Sequence, residues 1–277
     1  MPPEANALRN DTETPFDQAV GALSHIGDLR VWSVIVTIFG DLAQNPGDEI
    51  SGGVLSKITE LMGIRPEAVR VALHRLRKDG WIISQKSGRT SNYRLSDTAF
   101  SESLAARIRI YDRVSLAPRS WHLAVLQPMT QADRSDAEQR LRETGYVGIA
   151  PGVFLGRDLA PMKTTGCFLI NGDISEIPDW LKQTNSPADL HESFARLESA
   201  LTSARRNLDP HVTLSALEVA TLRVLIVHSW RRLLFRQPPL PDIFFTKDWP
   251  GERCRKIVAD MLETLERPKL ANLHAPL

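Results

Sequence analysis

Apolar positions change their spacing several times along the first hundred residues, and each change marks an element. The run Asp28-Leu-Arg-Val-Trp-Ser-Val-Ile-Val-Thr-Ile-Phe-Gly40 is almost continuously apolar. It is long enough for a buried helix, with a stop expected at Gly40 and Asp41. After the loop from Gln44 to Glu49, Ser51 is placed to cap a second helix in which Val54, Leu55, Ile58, Leu61 and Met62 share one face. Gly63 closes it. A third helix starts at Pro66, favoured at a first helical position, and ends at Asp79-Gly80. Its stripe is Val69, Ala72, Leu73 and Leu76, so at about 100° per residue the opposite face carries Glu67, Arg70, Val71, His74, Arg75 and Lys78. Two short β-type runs follow, Trp81 to Lys86 and Asn92 to Leu95, about the glycine-containing turn Ser87-Gly-Arg-Thr-Ser91.

Beyond them a polar helix is expected from Asp97 to Val114, then a joint at Ala117-Pro118. Trp121–Gln127 reads as a strand, Ala132–Thr144 as a helix, Tyr146–Leu155 as a second strand and Thr165–Ile170 as a third, with Asn171-Gly-Asp173 as a β-turn. A β-α-β-β order of this size suggests a ferredoxin-like α+β unit. Helices are expected over Ala188–Leu208, Leu214–Phe235 and Glu252–Leu265. The fold class is therefore α+β and multidomain. Residues 1–20 form a flexible arm, 21–97 a winged helix-turn-helix, 98–117 a linker helix, 118–186 the ferredoxin-like domain and 187–277 a mainly helical domain suited to effector binding and dimerisation.

Charge distribution sharpens the picture more than total charge does. The whole chain carries +1, yet Arg65 to Arg94 holds eight basic residues against Glu67 and Asp79. Such local excess is what gripping phosphates requires. Two helices joined by Gly63-Ile64-Arg65 let the second enter a major groove. Arg70, His74 and Arg75 are candidates for base edges, alongside Glu67 and Val71 on the same face. Arg65, Lys78 and Lys86 suit phosphates, Arg89 a phosphate or the minor groove, and Ser91 and Asn92 complete the wing's contribution. A solvated basic helix is the ordinary explanation of such charge, but the order of helix, turn, helix, hairpin and basic excess favours DNA.

The stretch from Gly63 to Trp81, with Trp32-Ser33, Phe39-Gly-Asp41, Ile50-Ser-Gly-Gly53, Gly88-Arg89 and Tyr93-Arg-Leu95, resembles the PaaX family of phenylacetate-catabolism repressors. Val227-His-Ser-Trp-Arg-Arg232, Pro239-Leu-Pro241 and Asp248-Trp-Pro-Gly251 are similar to its second signature. Phe244-Phe245-Thr246 and Asp97-Thr-Ala99 depart from the pattern. The resemblance implies a repressor released from DNA by phenylacetyl-coenzyme A. Such an effector needs cations beside apolar walls, and His228, Trp230, Arg231, Arg232 and Arg236 are the candidates. The bland alternative puts those arginines opposite a core stripe of Leu222, Leu225, Ile226, Ser229 and Leu233.

No cofactor is expected, and the partners are operator DNA, an acyl-coenzyme A effector and a second copy of the chain. No apolar stretch is long enough to span a membrane, and no signal-peptide core stands at the N-terminus, so a cytoplasmic place is expected. Cys167 and Cys254 support neither a zinc site nor a disulfide framework. An enzyme is not expected. His191, His211, His228, His274, Asp173, Asp242 and Asp248 lie in no motif of thioester hydrolysis or nuclease chemistry, which leaves an acyl-coenzyme A-processing enzyme or a nuclease as an alternative, and a protein-responsive regulator as another.

Overall fold

A computed structural model describes residues 13–27, 29–88, 90–113, 120–157, 166–208 and 212–274. In chain order the N-terminal elements are α1 (Pro15–Ser24), α2 (Val31–Leu42), β1 (Ile50–Ser51), α3 (Gly52–Leu61), α4 (Pro66–Lys78), β2 (Ile82–Ser87), β3 (Thr90–Leu95) and α5 (Asp97–Tyr111). They are followed by β4 (Trp121–Leu126), α6 (Gln131–Glu143), β5 (Val147–Ala150), β6 (Val153–Arg157) and β7 (Cys167–Gly172). Helices α7 (Asp179–Asn185), α8 (Ala188–Asn207), α9 (Ala216–Leu234) and α10 (Gly251–Thr264) complete the chain, with short 3-10 turns at Asp242–Phe244 and Leu270–His274. The protein is thus mixed α and β, with ten helices and two small sheets among the described residues.

Two compact units form, each from separated pieces of chain. One holds residues 1–111, 195–232 and 254–277, and the other 112–194 and 233–253. The last third of the sequence is shared between them rather than forming a body of its own, because the long helices α8, α9 and α10 each contribute to both.

In the first unit, α1 starts inside what reads as a flexible arm. Pro15 occupies the first turn, and Thr14 and Asp17 close a reciprocal capping box that satisfies two otherwise orphaned backbone donors. Phe16, Ala19 and Leu23 are buried. Helix α2 runs past Gly40 and Asp41 to Leu42, contrary to the expected stop, and most of its circumference is buried. Helices α3 and α4 end in the same way. Gly63 and Gly80 take φ of 74°, which lets Ile64 N–H reach the Thr59 carbonyl at 2.9 Å and Trp81 N–H the Leu76 carbonyl at 2.9 Å. The sheet has the order β1-β3-β2, all antiparallel, with Ile82 opposite Leu95 and Ile50 opposite Tyr93.

The continuation of α2 places Asp41, fully buried, against α9. Arg223 donates to it from Nε at 2.9 Å and Nη2 at 2.8 Å, and the Tyr111 hydroxyl of α5 donates at 2.8 Å. The remaining Arg223 nitrogen, Nη1, donates to the carbonyls of Leu262 and Leu265 at the end of α10. Those are among the acceptors that a helix C-terminus leaves without partners, and a cation there also meets the helix dipole.

In the second unit the sheet order is β5-β6-β4-β7, antiparallel throughout. Ala124, Leu141, Tyr146 and Phe154 form its core beneath α6. Tyr146–Leu155 is not one strand. A turn at Pro151-Gly152, with Gly152 at φ 72°, divides it into β5 and β6. Asn171 and Gly172 are not a β-turn but the end of β7, paired with His122 and Trp121. The Ala117-Pro118 joint lies outside the described residues. Trp249 is buried, stacked on Phe245 at 5.0 Å and edge-on to Phe194 at 5.2 Å.

Removing the charge of Asp41 while keeping its volume leaves Arg223 buried without a counter-charge. Asp41→Asn is expected to cost about 3 to 5 kcal/mol in urea unfolding. An unfolding midpoint equal to that of the native chain would show that the pair carries no such role.

Candidate nucleic-acid interface

Helix α4 owes its start to Pro66 and its dipole complement to Glu67 in the first turn and Arg75, Arg77 and Lys78 in the last. Val69, Ala72, Leu73 and Leu76 are buried, as their spacing indicates. Glu67, Arg70, Val71, His74, Arg75 and Lys78 are all exposed on the other side, and Arg65 is exposed at the entrance to the helix. Val71 is 70% exposed at the middle of this face. An apolar group there matches the thymine methyl, the one apolar mark in the major-groove pattern.

The charged groups of the face are held only lightly. Arg70 pairs with Glu67 at 2.8 Å with both side chains 73% exposed, and Arg75 with Asp79 at 3.5 Å. Exposed pairs of this kind contribute about 0 to 1 kcal/mol, so exchanging them for base edges or phosphates costs little. On the hairpin, Lys86 is exposed, while Ser91 and Asn92 are half-buried. The Asn92 amide donates to the Glu49 carboxylate at 3.1 Å, so this side chain also ties the strand to the loop before β1. Arg89 lies outside the described residues.

The five residues expected to form an effector site are not gathered into one. Trp230 is fully buried, donates from Nε1 to the Ile110 carbonyl at 3.0 Å and lies under the Arg255 guanidinium at 5.3 Å. It is a core residue rather than a pocket wall. Arg232 is exposed, and Arg236, in the other unit, pairs with Asp189 at 2.9 Å. His228 is buried with its Nδ1 at 3.3 Å from the Thr37 hydroxyl. That hydroxyl already donates to the Ser33 carbonyl at 2.9 Å, so Nδ1 carries the proton and Nε2 is left as a buried lone pair without a partner. Burial, then the charges of Arg231 and Arg232, push the imidazole down from 6.5 to about 3, against the raising effect of a hydrogen bond to the Ser33 backbone carbonyl. Arg231 lines a cavity of about 200 Å³. A larger cavity, about 420 Å³, lies where α8, α9 and α10 meet, lined by Arg205, Leu214, Val219 and Met261 among others.

Two family models match this arrangement: PaaX-like protein over residues 30–99 and PaaX-like protein C-terminal domain over residues 184–275. The chain belongs to the PaaX family. The Transcriptional repressor PaaX of Escherichia coli (strain K12) is 24% identical to it over 283 residues, covering 94% of this chain and 86% of that protein. In fold, the chain is similar to Uncharacterized protein Rv0674 from Mycobacterium tuberculosis, with a TM-score of 0.53 and 19% identity over 86% of this chain and 96% of the other. The first PaaX match contains every candidate DNA-contacting residue, and the second contains the Asp41 partner Arg223. Among the described residues no helix is long and apolar enough to cross a membrane.

Sequence reasoning missed Asp41, Arg107 and Arg223. An acid inside an apolar helical run was a usable sign for Asp41, since a charge there is retained only with a partner.

The buried imidazole makes stability acid-sensitive. Between pH 6.5 and about 3 the unfolded chain binds a proton that folded His228 refuses, so stability falls as pH drops, by about 1.4 kcal/mol per pH unit from this group. His228→Gln should show a shallower loss of urea midpoint from pH 6.5 to 4.5 than the native chain. Equal slopes in the two proteins would remove His228 as the cause.

Proposed function

We propose that the chain is a sequence-specific DNA-binding transcriptional repressor, with α3 and α4 acting as a helix-turn-helix and β2 and β3 as its wing. The observation that carries this reading is the exposed face of α4, where Arg70, His74, Arg75 and Lys78 surround an exposed Val71 above a fully apolar stripe. The name of the Escherichia coli relative points to the same activity. Arg70, His74 and Arg75 read base edges, while Arg65, Lys78 and Lys86 neutralise phosphates. A homodimer presents two such helices to a near-palindromic operator, with half-sites about 10 base pairs apart or a multiple of that. In the second unit, the strand order and the single helix between β4 and β5 support a ferredoxin-like reading.

The controlled genes are those of an aromatic-acid, phenylacetate-type pathway, and an aryl-acetyl-coenzyme A thioester releases the operator. A thioester that binds one arrangement of the chain better than another shifts DNA affinity by that difference and no more. Catalysis has no comparable support, since the histidines nearest the signature motif are buried or already partnered.

Combined Arg70→Ala and Arg75→Ala substitution is expected to weaken operator binding by at least about tenfold at stated salt while leaving the melting temperature unchanged. Lys78→Ala should weaken binding to all sequences alike and lower the salt slope by about 1. Undiminished binding by the double variant would refute the assignment of the reader.

Phenylacetyl-coenzyme A is expected to raise the melting temperature and to weaken operator binding. If no acyl-coenzyme A ester does either at near-millimolar concentration, the effector reading fails while the reader stands.

A further inference from the structure

The cavity of about 200 Å³ in the first unit has a composition that the DNA-reading function leaves unused. It lies among α2, α5 and α9, with Val36, Ile110, Val227 and the rings of Trp81 and Tyr111 as walls and two guanidiniums, Arg107 and Arg231, at its lining. Arg107 donates from Nη1 to the Gln44 carbonyl at 2.9 Å and lies over the Phe100 ring at 5.5 Å. Its Nε and Nη2 are buried and have no acceptor. These two nitrogens form one edge of the guanidinium, with parallel N–H bonds spaced to match the two oxygens of a carboxylate. Donors left unmet away from water are costly, so an anion brought beside this guanidinium would be stabilised.

The charges nearby do not supply the missing acceptor. Asp41 is committed to Arg223 and Tyr111, with Arg267 at 3.6 Å as a further cation beside it. Arg231 donates to the Ser33 hydroxyl, a neutral group, at 3.0 Å. Glu102, the carboxylate on the lining itself, is exposed, and Asp48 acts on Arg107 only as the weakest of the charges that perturb it. Desolvation is the largest influence on both Arg107 and Arg231 and disfavours their charged forms, which an incoming anion would offset.

We propose that this cavity is a binding site for a small monocarboxylate with an apolar body, the carboxylate drawn by the guanidiniums of Arg107 and Arg231 on its lining. Its size is below the range of about 300 to 1,000 Å³ typical of drug-sized ligands, which suits an aromatic or branched-chain acid and not a whole coenzyme A ester. A thioester carbonyl is neutral and would leave the cation excess uncompensated. This site is therefore additional to any thioester effector, and it does not depend on the DNA-reading assignment.

The test is calorimetry and thermal shift on the full chain with phenylacetate, benzoate and 3-methylbutanoate, at constant ionic strength. Phenylacetamide serves as the neutral isostere, sulfate as a compact anion and phenylacetyl-coenzyme A as the thioester. Saturable binding of the carboxylates is expected, with affinity at least about tenfold lower for the amide and for Arg107→Met. Ala106→Leu keeps both arginines and fills the cavity, so it should abolish carboxylate binding and decides the matter if Arg107→Met does not fold. Equal binding of acid and amide, unaltered binding by Ala106→Leu, or response to sulfate or the thioester alone would overturn the site. Operator binding measured on the same preparations distinguishes failure of this site from failure of the DNA reader.

Discussion

The carboxylate of Asp41 has no exposure to solvent, and Arg223 meets it with two parallel donors at 2.9 and 2.8 Å. A buried charge is tolerated only when its lone pairs are occupied, and the Tyr111 hydroxyl completes the set. Because Arg223 spends its third nitrogen on the last carbonyls of α10, the Asp41–Arg223 pair joins α2, α5, α9 and α10. The distances in sequence, 182 residues between Asp41 and Arg223, show why this unit cannot be assembled from the N-terminal segment alone. Helix α4, with the exposed basic face, packs on α2, so that face rests on the element that carries Asp41.

Around that anchor the charges divide by depth. Those on α4 are exposed and paired loosely with near neighbours, which leaves them available to a polyanion. On α9, Arg223 is buried and fully engaged, and on α5 the half-buried Arg107 is only partly so. The neutral His228 follows the same logic. Beside Arg231 and Arg232 and away from water, it is retained in the form that brings no further positive charge.

Local rules made the outer face of α4 legible. The stripe Val69, Ala72, Leu73 and Leu76 and the glycine closures at Gly63 and Gly80 follow from helical period and from the conformations open to glycine, so spacing alone placed Arg70, Val71, His74 and Arg75 on the outer face. The same rules misled where a long-range partner intervened. Gly40-Asp41 reads as a helix stop, yet α2 continues through it because Arg223 rewards a buried aspartate. The arginines after Trp230 read as one cluster, but a helix turns successive residues to different sides. Trp230 thus entered the core, Arg231 a cavity and Arg232 the surface.

By itself the amino-acid sequence determined the helical and strand periods near the N-terminus, the basic excess from Arg65 to Arg94 and the membership of the PaaX family, all of which are written in neighbouring residues. Tertiary structure decided the rest: the division of the last third between two units, the burial of His228 and Trp230, the Asp41 network and the unmet edge of Arg107. The physical reason is that desolvation and hydrogen-bond satisfaction depend on groups far apart in the chain, whereas helix period and turn conformation depend on groups a few residues apart.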